Sequence, residues 1–131
     1  MSNLILPEFS FNSMLKIVGR GKTKRVAYKT DCAVDIEYRD YTIAHHGTLI
    51  AHVSENVDGS FNKIELSNGG WDSRTTAARL HAIVSAYTDY AVGITGGKTV
   101  LRDENRRDIA VFDRLNFWNR NGVVSFEIIM D

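Results

Sequence analysis

Apolar and polar positions follow two regimes along this chain. Val34, Ile36 and Tyr38 alternate with the charged Asp35, Glu37 and Arg39, the two-residue period of a half-buried strand. Tyr41–Ala44 and Thr48–Val53 flank His45-His46-Gly47, and β-prone runs joined by a short glycine-containing connection form a hairpin. Asn56-Val57-Asp58-Gly59 is a further turn, and Phe61, Ile64 and Leu66 mark the strand after it. Ser67-Asn68-Gly69-Gly70 closes that strand, and the period then changes. Across Arg74–Tyr87, Ala77, Leu80, Ile83, Val84 and Tyr87 recur at spacings of three and four. The spacing predicts an amphipathic helix, capped by Asp72 or Ser73 through side-chain acceptance of first-turn N–H groups.

Strand signals resume beyond the helix. Val92–Thr95 and Thr99–Leu101 flank Gly96-Gly97, Ile109–Phe112 and Leu115–Trp118 follow, and Asn121-Gly122 carries the two positive-φ positions of a tight hairpin before Val123–Met130. Upstream, Lys22–Lys29 is strand-prone through its valine, tyrosine and threonine. Residues 1–12 carry Leu4, Ile5, Leu6, Phe9 and Phe11 around Pro7 without a clean period, which suits an arm docked on the core or on a second subunit. The expectation is a single α+β domain over residues 1–131: an antiparallel β-sheet of hairpins with one central amphipathic helix packed on one face. Residues 41–90 would form its β-hairpin–strand–helix module.

Composition narrows the chemistry. At 131 residues with one proline, the chain is long enough for one core without disulfide or metal staples. The lone Cys32 excludes an internal disulfide and every multi-cysteine zinc pattern, and it has no basic neighbour in sequence to activate its thiol. No apolar run approaches the roughly 20 residues of a membrane span, and the first residues lack a signal-peptide layout, so a cytoplasmic protein without membrane contact is expected. Gly21-Lys22-Thr23 and Gly97-Lys98-Thr99 resemble the end of a phosphate loop, but Lys16 and Val92 stand where its first glycine must be. The histidines at 45, 46, 52 and 81 do not make a metal-ligand spacing and read as a polar turn with scattered imidazoles. With no nucleophile elbow either, a non-enzymatic protein without cofactor or metal is expected.

Charge is balanced at 16 cations and 16 anions, yet it is unevenly placed. Lys16, Arg20, Lys22, Lys24, Arg25 and Lys29 form a run without an acid. In a strand, Arg20, Lys22 and Lys24 would project from one face and follow an anionic surface, with Gly19 and Gly21 permitting close backbone approach. A lysine-bearing strand is also what protects a sheet edge from strand addition. Arg74 and Arg79 stand in the first turns of the predicted helix, where the dipole disfavours cations, and no acid lies within residues 74–88. Beside Trp71, Thr75 and Thr76 they suit an anionic partner, arginine gripping phosphate and tryptophan stacking a base. Trp71 would serve equally as a plug between helix and sheet.

His46-Gly47, Ile50-Ala51, Ile64, Leu66, Gly70-Trp71-Asp72-Ser73-Arg74-Thr75-Thr76 and Arg79-Leu80 together resemble a recurrent segment of small bacteriophage proteins. That pattern commonly has an asparagine after the Arg-Leu pair, where this chain has His81. The resemblance implies viral origin and a β-hairpin–strand–helix module, and brings no activity, cofactor or catalytic residue. The function expected is a phage binding protein that modulates a process by engaging nucleic acid, or a nucleic-acid-handling host or defence complex. Its positive face would be Arg20, Lys22, Lys24, Arg25, Arg74 and Arg79 with Trp71. The alternatives are a homo-oligomeric module that inhibits a host protein, and a sponge for a nucleotide signal.

Overall fold

A computed structural model describes residues 5–20 and 22–130. The fold is mainly β, which corrects the expected α+β sheet with a single helix. Among the described residues, ten strands form a seven-stranded and a three-stranded antiparallel sheet, with two helices. The large sheet begins as a meander: β1 (Thr23–Ala27), β2 (Thr30–Asp35), β3 (Asp40–His45), β4 (Thr48–Glu55) and β5 (Phe61–Ser67). Helix α2 (Arg74–Tyr87) follows, then a second meander of β6 (Ala91–Thr95), β7 (Lys98–Arg102) and β8 (Asp108–Val111). The chain then returns to the large sheet as β9 (Arg114–Arg120) and β10 (Val123–Ile128), in the order β1-β2-β3-β4-β5-β9-β10.

The second sheet exists because β9 takes the free edge of β5. Ile64 stands opposite Phe117 and Leu66 opposite Leu115, so β6–β8 have no strand edge left to join there. The other departure is helix α1 (Phe11–Val18), in the stretch expected to be an arm and the lead-in to a strand. Ser10 caps it, its Oγ accepting the Ser13 N–H at 3.1 Å, and Phe11, Met14 and Val18 are buried at helical spacing. Gly19, at φ 83°, ends it. Of the stretch expected to dock as an arm, Phe9 and Phe11 lie in the chain's own core, while residues 1–4 fall outside the described part.

Phe9, Met14, Tyr41, Ile43, Ile64, Leu80, Ile83 and Phe117 belong to one hydrophobic cluster that also takes in Val92 and Leu101 of the small sheet. Helix α1 packs over β1–β3, and α2 packs against β6 and β4. A polar chain runs through this core. Tyr41 donates to Tyr87 Oη at 2.5 Å, Tyr87 donates to Glu55 Oε2 at 2.6 Å, and the same oxygen accepts the Phe11 N–H at 2.7 Å. Glu55 of β4 thus satisfies the first N–H of α1, where the helix dipole favours an acid, and ties both helices to the sheet. His81 adds a second tie, its Nδ1 accepting the Val92 N–H at 3.2 Å.

Replacing Glu55 by alanine leaves the Phe11 N–H without an acceptor, and one of the two bonded hydroxyls of Tyr41 and Tyr87 with no acceptor for its proton. Urea unfolding should show a loss of about 2–3 kcal/mol, with hydrogen exchange in α1 quickening before that of β3 and β4.

Candidate functional site

The site is assembled from the loop that joins β5 to α2. Asn68, 1% exposed, directs it: its Oδ1 accepts the Gly70 N–H at 2.9 Å, and its Nδ2 donates to Thr99 Oγ1 and Asp113 Oδ1, each at 3.2 Å. Asp72 Oδ1 accepts both the N–H and the hydroxyl of Thr99, at 2.9 and 2.8 Å. These bonds, the backbone one foremost, hold the Asp72 carboxyl below the usual carboxylate range and fasten the loop to β7. Gly69 has φ 67°, and a Cβ there would stand 2.9 Å from Thr48 Cγ2, so only glycine lets the loop pass this close to β4. Trp71 is thereby held at 67% exposure on a fixed support rather than buried between helix and sheet.

Ser73 then caps α2. Its Oγ accepts the Thr76 N–H at 3.2 Å, and its carbonyl accepts the Ala77 N–H at 3.0 Å. The N–H groups of Arg74 and Thr75 have no partner among the described residues, and they carry the positive end of the helix dipole. One turn on, Arg79 is 1% exposed. Its Nε donates to Thr30 Oγ1 at 2.6 Å, one Nη to Thr75 O and the other to Tyr28 O, each at 2.7 Å. All three acceptors are neutral, so a guanidinium charge lies beneath the helix terminus without a carboxylate partner.

The third wall is the β3–β4 turn. His45 is buried, and its Nδ1 lies 3.2 Å from Lys29 O. A carbonyl only accepts, so Nδ1 carries the proton and Nε2 is left as an acceptor. Burial first, and the Arg79 charge second, lower the His45 pKa from its ordinary 6.5. His46 has φ 50°, a left-handed turn conformation, and its ring centroid lies 4.3 Å from that of His45. The alternation that sends neighbouring strand residues to opposite faces stops at such a turn, which brings both rings to one place. His45, His46, Thr48 and Ile50 face Asn68, Trp71 and the first turn of α2 across a cavity of about 390 Å³.

The basic residues singled out from the sequence do not form one face. Trp71, Arg74 and Arg79 meet at the N-terminal end of α2, Trp71 and Arg74 exposed and Arg79 buried. Arg79 is therefore a pin between elements, not a surface ligand for an anion. Arg20, Lys22, Lys24 and Arg25 lie along the approach to β1 and on that edge strand, all exposed. Lys24 stands opposite the core-facing Cys32, while Arg25 stands opposite Asp31 and pairs with it at 3.3 Å. Successive residues thus project to both sides of the edge. Gly21 falls outside the described residues.

Sequence reasoning did not single out His45, Thr48, Asn68 or the Thr75 N–H. Of these, only Thr75 belongs to the segment that resembles other phage proteins; the fold brings it to one cavity with His46 and Trp71. A family model described as Kyanoviridae Gp96 protein matches residues 10–123. The chain belongs to this family. It is a family of small phage proteins, and the match spans the basic run and most of the last hairpin as well as the recurrent segment. No curated protein and no solved structure matches the chain. Among the described residues no three metal-ligating side chains converge, and no helix is long and apolar enough to cross a membrane. His52 is engaged between Asp40, at 2.9 Å, and Glu65, at 3.5 Å.

Substituting Arg79 tests the pin. Arg79→Leu removes three charge-assisted bonds, while Thr30 Oγ1 still donates to Tyr28 O. Thermal and urea unfolding should both register a loss of about 3 kcal/mol or more. Arg79→Lys should recover only part of it, since one ammonium cannot span the three acceptors.

Proposed function

We propose that this phage protein is a binding module that engages nucleic acid through the β1 edge and the adjoining end of α2. One observation supports the reading above others: Arg20, Lys22, Lys24 and Arg74 are exposed, and none has a carboxylate within ion-pair distance among the described residues. Unpaired surface cations are free to neutralise phosphates and so to release the counterions condensed on a polynucleotide. Exposed aromatic rings accompany them. Tyr28, 70% exposed, follows β1 directly with Lys29 Nζ 5.8 Å from its ring centroid, and Trp71 stands at the helix end. Cations tracking a backbone beside rings that stack bases are the working parts of single-strand binding surfaces.

Edge protection alone explains lysines on β1, but it yields no affinity for a polynucleotide. The two roles separate in a titration of labelled single-stranded oligonucleotide against the protein at several salt concentrations. Affinity should fall steeply with salt, with a logarithmic slope of about 0.7 per phosphate neutralised. Lys22→Glu with Lys24→Glu should weaken binding and flatten that slope. A flat salt response, or an unaltered isotherm in the double variant, would contradict the proposal.

A further inference from the structure

We infer that the cavity at the N-terminal end of α2 binds a nucleoside monophosphate unit, with its phosphate on the helix terminus and its base against Trp71. The inference rests on the nucleic-acid reading above and narrows it to one site. The cavity, of about 390 Å³, is in the size range of small-ligand pockets. Thr75 lines it, and the backbone N–H groups of Thr75 and the neighbouring Arg74 have no partner among the described residues; helix termini with free N–H groups hold phosphate. Beneath them lies the Arg79 guanidinium, bonded only to neutral oxygens. The helix terminus and Arg79 favour an anion here, while the nearby Asp72 carboxylate is already engaged by Thr99 and lies 3.9 Å from Lys98 Nζ.

The second observation is independent of the helix. His45 is only 6% exposed, yet its Nε2 has no hydrogen-bond partner, and the one polar side-chain atom sealed without a partner among the described residues is Arg39 Nε. The His45 ring lines the cavity, so Nε2 is directed into it. With Nδ1–H committed to Lys29 O, this nitrogen accepts and does not donate. An acceptor beside an anion site repels a fully ionised phosphate oxygen and attracts an O–H or N–H group. The Thr48 hydroxyl, also without a partner, stands on the same wall. The ligand therefore carries an anion, a hydroxyl or N–H donor near it, and a planar apolar face for the exposed Trp71 ring. A phosphate on a sugar that bears a base has all three. Inorganic phosphate has only the first.

Amide-resolved NMR titration of the full chain tests this, with five probes: adenosine 5′-monophosphate, adenosine, inorganic phosphate, a 5′-phosphorylated single-stranded oligonucleotide and its unphosphorylated twin. The monophosphate should shift the Arg74 and Thr75 amides and the Trp71 indole, at lower concentration than adenosine or phosphate alone. Trp71→Ala, at an exposed position that leaves folding intact, should weaken it by about tenfold, and His45→Gln should also weaken it. Equal saturation by the phosphorylated strand assigns the site to a strand end; response to the mononucleotide alone assigns it to free nucleotide. No shift at Arg74 and Thr75 with any phosphorylated probe would overturn the inference. So would a response to inorganic phosphate equal to that of the nucleotide and unchanged in Trp71→Ala. Salt-dependent oligonucleotide binding that persists in either case leaves the β1-edge reading standing without this site.

Discussion

A single buried guanidinium organises one end of this molecule. Removing an arginine from water is costly, and Arg79 has no carboxylate to offset the loss. Its three bonds run instead to a hydroxyl and two carbonyls on three separate stretches of chain: β2, the β1–β2 turn and the first turn of its own helix. The turn it holds gives the Lys29 carbonyl to both the His45 ring and the His46 N–H, so the β3–β4 turn is placed through the same contact. Two hairpin turns and a helix terminus are brought to a common end of the fold by one side chain.

That arrangement accounts for the residues between β5 and the middle of α2. Asn68 and Asp72 bind the loop to β7, Gly69 allows it past Thr48, Ser73 starts the helix, and Arg79 draws in the turns. Each of these is a structural task, and together they leave Trp71 in solvent above a polar cavity. Trp71 is thus exposed on a firmly held loop rather than packed between helix and sheet.

Local features of the fold were legible where a turn dictated them. His46-Gly47, Gly96-Gly97 and Asn121-Gly122 all occupy positive φ, and each joins the hairpin expected of it. The boundaries of α2 were equally plain from spacing, and of its two candidate caps Ser73 is the one that forms. The fold class was not, because β9 inserts beside β5 across some fifty intervening residues, and no local pattern encodes a pairing of that range. Helix α1 went unread although Phe11, Met14, Leu15 and Val18 have its spacing, since the glycines after it and Pro7 before it suggested an extended arm. For the site, Arg74 and Trp71 were visible as an arginine beside an aromatic. Arg79 was visible only as a charge, because burial is a property of the tertiary fold, and His45 was obscured by a rule for strands that its neighbouring turn suspends.

The Arg79 charge lies buried near His45, whose Nδ1–H is committed to Lys29 O and whose Nε2 is left to accept. A pH titration of the histidine side chains by NMR, in protein labelled with nitrogen-15, tests this arrangement. His45 should be the Nδ1–H tautomer at neutral pH, with its midpoint below the ordinary value of 6.5. An Nε2–H tautomer, or a midpoint at or above that value, would contradict the account.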